Sequence, residues 1–351
     1  MTATEPDKTS TPEGVATDLG GGVWTIPVPI PDNPLGYTLV YVLESANGPV
    51  LVDAGWDDPA SLTALTSGLA SLGTSLADVH GVIATHNHPD HHGLTYKVVE
   101  ASGAWVAMHE ADAAHVNLIN TAPRNRWIDH HVAVLQAAGA PQDAVDELVG
   151  SRSPSSVVKP RFTLATPDRN LVHGELADVA GRDVRIVWTP GHTPGHVCLH
   201  LEEEIGTRAG RLLSGDHLLP GITPHIGLYE DTEEADPLGD FLASLSRVAA
   251  MPITGVLPAH KHGFADAAAR VDEIKAFHET RLATLHARLV AAPLTLWEIA
   301  VGMDWNRPWE QLSVHNRQIA LSEAAAHLRH LVKRGQAGAA NADDPVRYAA
   351  A

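Results

Sequence analysis

Three imidazoles and one carboxylate are crowded into a six-residue stretch of the chain. They belong to His86, His88, Asp90 and His91, within Thr-His-Asn-His-Pro-Asp-His-His-Gly at residues 85–93. Buried histidines without partners leave hydrogen-bonding groups unused, whereas converging imidazoles are what a divalent cation such as zinc requires. In an extended segment, His86 and His88 project to the same side. The stretch therefore predicts a metal site; the alternative is a solvated, histidine-rich loop.

Further ligands must come from elsewhere, because an ion needs about four ligands and a catalytic ion keeps one position for water. His192 lies in Thr-Pro-Gly-His-Thr-Pro-Gly-His, where glycine and proline on both sides force a fixed turn. Asp216 ends Leu-Ser-Gly-Asp and offers a carboxylate that could bridge two ions, and His260 ends Pro-Ala-His. His196, in the turn of His192, either hydrogen-bonds to the site or braces its own turn. Together with the first cluster, these residues predict a two-metal site.

The elements that must position these side chains are strands, because each candidate follows a short apolar run. Strands are predicted at residues 23–30, 37–43, 49–52, 81–84, 184–188, 197–201, 211–213 and 255–257. Helical spacing of apolar residues predicts helices at 59–72, 237–250, 265–290, 296–301, 309–312 and 316–334. Loops at the strand ends of a rigid sheet can bring side chains together without disturbing the core. We therefore expect the candidates to meet at one sheet edge.

The composition is that of a globular protein, with 44% hydrophobic and 19% charged residues among 351. No apolar run approaches the ~20 residues that span a bilayer, and the N-terminus does not resemble a secretion signal. A single cysteine, Cys198, cannot form an internal disulfide, which favours a reducing cytoplasm. The formal charge of -18 disfavours nucleic acid and anionic membranes as partners. We predict a cytoplasmic protein that acts on a small molecule.

Shifts in composition predict four parts. Residues 1–20, rich in Thr, Glu, Pro and Asp, predict a disordered tail, and residues 337–351, rich in Ala, Gly and Asp, a flexible one. Between them we expect a catalytic domain at 21–292, with a helical cap or insertion at about 110–160, and a compact helical domain at 293–336. The helical domain carries five Lys or Arg against four acids. This balance favours packing or a homodimer contact over nucleic-acid contact.

The motifs His-x-His-x-Asp-His, Thr-Pro-Gly-His-Thr-Pro-Gly-His, Ser-Gly-Asp and Pro-Ala-His resemble those of the metallo-β-lactamase superfamily over residues 22–290. The resemblance implies an α+β fold, a four-layer αββα sandwich with metals at the sheet edge. Residues 293–336 resemble the small winged-helix-like appendage of some superfamily hydrolases. The resemblance implies that a first metal is held by His86, His88 and His192. It implies that a second metal is held by Asp90, His91 and His260, and that Asp216 bridges the two. Asp53 matches an acid of the family that steadies ligand loops.

Departures from individual branches of the superfamily narrow the expected function. Secreted β-lactamases carry export signals and generally lack the bridging acid, which disfavours antibiotic hydrolysis here. Quorum-signal lactonases that resemble this motif set often have a tyrosine three positions after that acid, where this chain has Leu219. A lactonase would therefore need another group to bind the oxyanion. Diiron flavoproteins use Glu where this chain has His88, which makes redox chemistry less favoured.

The expected chemistry is hydrolysis without a serine or cysteine nucleophile. Two ions ~3.5–4 Å apart lower the pKa of a bridging water towards 7, which supplies hydroxide at neutral pH. We expect this hydroxide to attack an ester, thioester or lactone carbonyl, with the Asp90 carboxylate relaying the proton. His and Asp ligands favour zinc but also suit manganese or iron. The alternatives are a phosphodiesterase or ribonuclease on the same site, and a mononuclear iron dioxygenase.

Overall fold

Two sheets carry the residues of interest in the computed structural model, which describes residues 14–121, 125–150, 164–203, 206–229, 232, 234–341 and 343–351. The strands are β1 (Thr17–Asp18), β2 (Val23–Pro29), β3 (Tyr37–Leu43), β4 (Val50–Val52), β5 (Gly81–Ile83), β6 (Trp105–Met108), β7 (Arg169–Asn170), β8 (Val184–Trp188), β9 (Val197–Glu202), β10 (Gly210–Gly215), β11 (Ile253–Pro258), β12 (Leu294–Thr295), β13 (Ala337–Ala339) and β14 (Arg347–Ala350). The helices are α1 (Pro59–Ser71), α2 (Pro89–His92), α3 (Thr95–Ser102), α4 (Glu110–Thr121), α5 (Asn125–Ala137), α6 (Gln142–Gly150), α7 (Pro237–Ala249), α8 (Ala267–Ala291), α9 (Leu296–Val301) and α10 (Val314–Lys333).

The first sheet has the order β1 to β7, and the second has the order β11-β10-β9-β8. Strands β1 to β4 pair antiparallel, whereas β4 to β7 pair parallel. Strands β4 and β5 are buried throughout, as expected of short apolar strands covered on both faces. In the second sheet, β10 pairs parallel with β11 and antiparallel with β9, which itself pairs antiparallel with β8. Strands β8, β10 and β11 therefore end at the same edge.

Apolar cores lie between the four layers of the described chain. Between the sheets, side chains such as Leu43 and Ile83 of the first sheet pack with Leu199 of the second. On the outer face of the first sheet, Val40 and Leu51 pack with residues of α1 and α3. On the outer face of the second sheet, a third core includes residues of α7 and α8. This order of helix, sheet, sheet and helix confirms the predicted αββα sandwich.

Helix starts in the second half of the chain carry the side chains that satisfy free backbone N–H groups. The Asp236 carboxylate accepts from the Gly239 amide at 3.0 Å, and Pro237 occupies the first turn of α7. At α9, Thr295 and Glu298 form a reciprocal capping box. These starts fix where the chain leaves the sheets and enters each helix.

The C-terminal unit packs on both the cap helices and the long helix α8. The Trp297 amide donates to the Ala138 carbonyl at 2.8 Å, and Arg317 of α10 pairs with Glu147 of α6, also at 2.8 Å. The cap helices α4, α5 and α6 lie at residues 110–150, within the predicted cap, and residues 151–160 lie outside the described part of the chain. The winged-helix likeness of this unit stays a prediction.

The flexible tail predicted at 337–351 is wrong for the described residues. Strand β14 pairs antiparallel with both β12 and β13 in a three-stranded sheet. Main-chain pairing does not need apolar side chains, and Arg347 also binds the Glu298 carboxylate at 3.1 Å, so an Ala- and Gly-rich segment is ordered here. Of the tail predicted at 1–20, residues 1–13 lie outside the described chain, and Thr17–Asp18 pair with β2.

Among the described residues, no helix combines the length and apolar character needed to cross a membrane.

Candidate metal centre

The seven side chains predicted as ligands converge at one edge of the sandwich. Those of the 85–93 segment follow β5 of the first sheet, and the remaining three follow β8, β10 and β11 of the second. They form three overlapping groups whose ligand atoms lie within 4.8 Å of one another in each group: His86, His88 and His192; His86, His91 and Asp216; and Asp90, His91 and His260. Both sheets therefore supply donors to one site.

Asp216 lies between the two outer groups, and its two carboxylate oxygens face different sides. Oδ2 is 3.4 Å from Nε2 of His192. Oδ1 is 3.4 Å from Nε2 of His91 and 3.2 Å from Nε2 of His260. Asp90 closes the second side, with its Oδ2 atom 3.4 Å from Nε2 of His260. One carboxylate thus connects two separate sets of donors.

Four of the five candidate histidines are held by the ring nitrogen that faces away from the site. Nδ1 of His192 donates to the His225 carbonyl at 2.7 Å, and Nδ1 of His260 donates to the Tyr37 carbonyl at 2.9 Å. The other two bonds run from His91 to Asp53 at 2.8 Å and from His86 to Thr85 at 3.0 Å. Because Nδ1 donates to these partners, Nε2 is the ring atom that faces the site, and its lone pair can bind a cation that displaces any proton there.

Polar atoms at the centre of the site are buried and short of partners. Oδ1 of Asp216 lies 3.2 Å from Nε2 of His260 and 3.4 Å from Nε2 of His91, yet within the described chain none of these three atoms has a hydrogen bond of good geometry, although all three residues are 7% exposed or less. Nearly all buried polar atoms in proteins are satisfied, so a group of converging orphans needs an explanation. Imidazole and carboxylate donors facing one another fit a divalent cation between them.

The electrostatics of the site also favour a cation. Burial, added to by neighbouring imidazoles, lowers the pKa of His88 to about 3 and that of His86 well below its usual range, so both rings are neutral. Burial also opposes the charged form of His260, but Asp216 and Asp90 outweigh it and raise its pKa to about 10. The two carboxylates thus create a demand for positive charge at this point.

Asp53, predicted to steady the ligand loops, binds the candidate ligand His91 directly and the candidate ligand His86 through Thr85. Its carboxylate accepts from His91 at 2.8 Å and from the Thr85 amide at 2.8 Å. The Thr85 hydroxyl also donates to it at 3.0 Å, and that hydroxyl in turn accepts from His86. Asp53 is 2% exposed and has a left-handed φ of 62°, a conformation that Asp and Asn tolerate better than most residues.

Asp53→Asn is expected to weaken metal binding by about 10- to 100-fold, the usual effect of removing a partner that orients a ligand. Asparagine suits the left-handed backbone, but its single carbonyl oxygen cannot replace both carboxylate oxygens. Competition between the metal-free protein and a chromophoric chelator measures the affinity. Asp32→Asn, at an exposed turn with a φ of 57°, is the matched control. Wild-type affinity in the Asp53 variant would contradict this role.

His196, predicted as a residue next to the ligands, lies behind Asp216 and belongs to none of the three donor groups. Its Nε2 atom accepts from the Asp216 amide at 3.1 Å, and its Nδ1 atom is 2.8 Å from the Thr189 hydroxyl. The ring is fully buried. It therefore fixes the backbone that presents Asp216 and also braces its own turn, so the two roles considered from the sequence occur together.

Asp112 is a residue of this site that the sequence reasoning missed. It is fully buried at the start of α4 and accepts from the Asn87 amide at 3.0 Å, the Gly195 amide at 2.7 Å and the Thr193 hydroxyl at 2.7 Å. Burial raises its pKa to about 6, against these hydrogen bonds. Asp112 thus joins the loop of His88 to the loop of His192. A carboxylate a few positions after a strand end was its only signal in the sequence.

An αββα sandwich with a buried cluster of histidines and aspartates at its edge is typical of metallo-hydrolases. The chain matches the model of the metallo-beta-lactamase superfamily over residues 33–284. It is 32% identical to a solved metallo-beta-lactamase family protein from Thermus thermophilus, with a TM-score of 0.78 and coverage of 95% of this chain and 100% of that one. The chain belongs to the metallo-beta-lactamase superfamily, which confirms the resemblance seen in the motifs.

Curated relatives include hydrolases of the same superfamily. The probable metallo-hydrolase YqjP of Bacillus subtilis is 26% identical over 308 residues, which cover 84% of this chain and 87% of that protein. A hydroxyacylglutathione hydrolase of Rhizobium meliloti is 38% identical over 18% of this chain and 30% of its own length. An atrochrysone carboxyl ACP thioesterase of Passalora fulva is 35% identical over 23% of this chain and 22% of its own length.

Proposed function

We propose that the protein is a dinuclear metal-dependent hydrolase that cleaves a small-molecule thioester, ester or lactone. The observation that carries the proposal is Asp216, whose two carboxylate oxygens face two different sets of donors. His86, His88 and His192 would hold one cation, and Asp90, His91 and His260 the other. Bound there, the ions would activate water and polarise a carbonyl oxygen. Zinc suits this donor set best, and manganese or iron would also fit.

The chain's own residues then orient the reactants and handle the proton. The Asp90 side chain, 16% exposed, is among the more accessible of the candidate ligands. Burial opposes its ionisation, but His91 and His260 hold the pKa of Asp90 at about 2, so its Oδ atoms can accept a hydrogen bond from an attacking water. The Nδ1 bonds of the histidines keep their Nε2 atoms aimed at the site throughout.

The chain's single cysteine does not offer a competing nucleophile. Cys198 is fully buried on β9, and burial raises the pKa of its thiol to about 12. The thiolate is the nucleophilic form, so this side chain is unreactive at neutral pH. Hydrolysis by an activated water is therefore the reaction that the site supports best.

A thioester is the first substrate class to test. The two short local matches are to a hydrolase of hydroxyacylglutathione and to a thioesterase of an acyl carrier protein, and both names describe removal of an acyl group from sulfur. The net charge of -18 opposes binding of a nucleic acid, which weakens the ribonuclease alternative. A small acyl compound carries no such penalty.

Removing metal is expected to abolish hydrolysis. When Zn²⁺, Mn²⁺ and Fe²⁺ are each returned to a separate sample, hydrolysis is expected to recover with two ions bound per chain. The metal-stripped protein is assayed against thioesters, esters, lactones and phosphodiesters, with metal content measured by mass spectrometry. Restored cleavage of phosphodiesters alone would favour the phosphodiesterase alternative. A single iron per chain with oxygen consumption would favour the dioxygenase. Hydrolysis that survives complete removal of metal would overturn the proposal.

A further inference from the structure

The loop of residues 225–229 connects a candidate metal ligand to the C-terminal unit. The His225 carbonyl accepts the Nδ1 proton of His192 at 2.7 Å, so the position of this carbonyl sets the direction of the His192 ring. Two residues on, a Cβ atom at Gly227 would lie 2.8 Å from the Ser322 hydroxyl of α10. At Gly227 the loop therefore packs against α10 with no room for a side chain.

Helix α10 holds this loop through three further contacts. The His225 ring is 3.2 Å from the Glu323 carboxylate through Nδ1, and 3.2 Å from the Ser322 hydroxyl through Nε2. The Leu228 amide donates to the Ser322 carbonyl at 3.0 Å. Side chain and main chain of the same loop are thus both fixed by one turn of α10.

Glu323 is charged in a place that is largely shielded from water. Its side chain is 18% exposed, and the Arg281 guanidinium of α8 lies 3.3 Å from its second oxygen. Burial opposes ionisation, but His225 and Arg281 hold the pKa of Glu323 at about 2. A charged acceptor makes a stronger hydrogen bond to His225 than a neutral one.

We propose that Glu323 is a positioning residue of the metal centre: through His225, it fixes the ring of His192, so that the C-terminal unit is part of the site. The inference rests on the proposed metal-binding function, since His192 is taken as a ligand. The competing explanation is that Glu323 only fastens α10 to α8 through Arg281.

Glu323→Ala is expected to weaken the affinity of the metal-free protein for one of two Zn²⁺ ions by about 10- to 100-fold. The second ion, held by Asp90, His91 and His260, should bind as in the wild type. Chelator competition measures the two affinities, and titration with Co²⁺ shows a changed absorption spectrum for the weakened ion alone. A purely structural role would not separate the two ions.

His330→Ala is the matched control, because His330 also lies on α10 and pairs with a carboxylate, that of Asp236, at 2.9 Å. The two side chains of that pair are 13% and 21% exposed, close to the 20% and 18% of His225 and Glu323. The control variant should lose stability but bind both ions normally. Equal loss of affinity in both variants, or wild-type affinity in Glu323→Ala, would overturn the inference.

If the alanine variant does not fold, Glu323→Gln tests the positioning role of Glu323 instead. It preserves shape and an oxygen acceptor but removes the charge, and a charged hydrogen bond is roughly twice as strong as a neutral one. Its expected loss is therefore roughly three- to tenfold for the same single ion, and no loss would reject the role of Glu323. Asp216→Ala separates this failure from that of the proposed function. If Asp216→Ala loses metal while Glu323→Gln does not, only the present inference fails.

Discussion

Asp216→Ala is expected to lower kcat by at least about a thousandfold and to reduce metal content from two ions to one or none. Asp216 faces both donor sets, so its loss would leave each set one ligand short. Metal assistance contributes several kcal/mol to transition-state stabilisation, and about 4 kcal/mol corresponds to a thousandfold in rate. The variant should still fold, because the removed carboxylate has one oxygen with no hydrogen bond in the described chain.

Metal content by mass spectrometry and turnover of the best thioester substrate test this prediction together. Glu202→Ala is the control, because Glu202 is a largely buried carboxylate on β9 that pairs with Arg185 and is not among the candidate ligands. It should retain both ions. Asp216→Asn retains one oxygen acceptor and is expected to keep a single ion with turnover still severely reduced. Two ions and turnover within tenfold of wild type in Asp216→Ala would contradict the bridging role.

Asp112→Ala is expected to cost roughly 2–6 kcal/mol of folding stability in the metal-free protein. Its loss leaves the buried Asn87 and Gly195 amides without acceptors, and each such group costs about 1–3 kcal/mol. That is a large part of the roughly 5–15 kcal/mol that typically stabilises a protein. Zn²⁺ affinity should fall as well, because two ligand loops lose their connection.

Chemical denaturation and chelator competition measure the two effects of Asp112→Ala. Asp112→Asn is the sharper variant, because its amide has one acceptor and one donor, whereas the site presents donors to both oxygens. It should therefore release at least one of the two loops while keeping the shape of the side chain. A change of about 0.5 kcal/mol in the free energy of unfolding is the size of an ordinary surface effect. If both variants lie within that range of the wild type, Asp112 does not hold the loops.

The seven candidate ligands could be identified from the sequence because each of them is marked by local features. His192 lies in a turn fixed by glycine and proline, and Asp216 and His260 directly follow short apolar strands. Strand β8, which precedes His192, could itself be predicted from its run of apolar and β-branched residues. The same holds for strand β3. Local chemistry and local structure therefore agree at these positions.

Asp53 and His196 were predicted as supporting residues, but other supports of the site could not be predicted in the same way. Asp112 is identified by the amides of Asn87 and Gly195, which are 25 and 83 positions away. His225 supports His192 through a backbone carbonyl, a group that every residue has. Strand β14 is held by main-chain pairing and leaves no apolar pattern. Such roles depend on the fold as a whole.

The candidate ligands come from loops of both sheets, so metal binding there would be coupled to the folding of the whole sandwich. An ion that binds only the folded chain adds a stabilisation that grows with the logarithm of its free concentration, about 4 kcal/mol at a thousand times its dissociation constant. The chain would then be longer lived where metal is plentiful and more open to proteolysis where it is scarce. The abundance of this hydrolase in a cell would follow the supply of its metal.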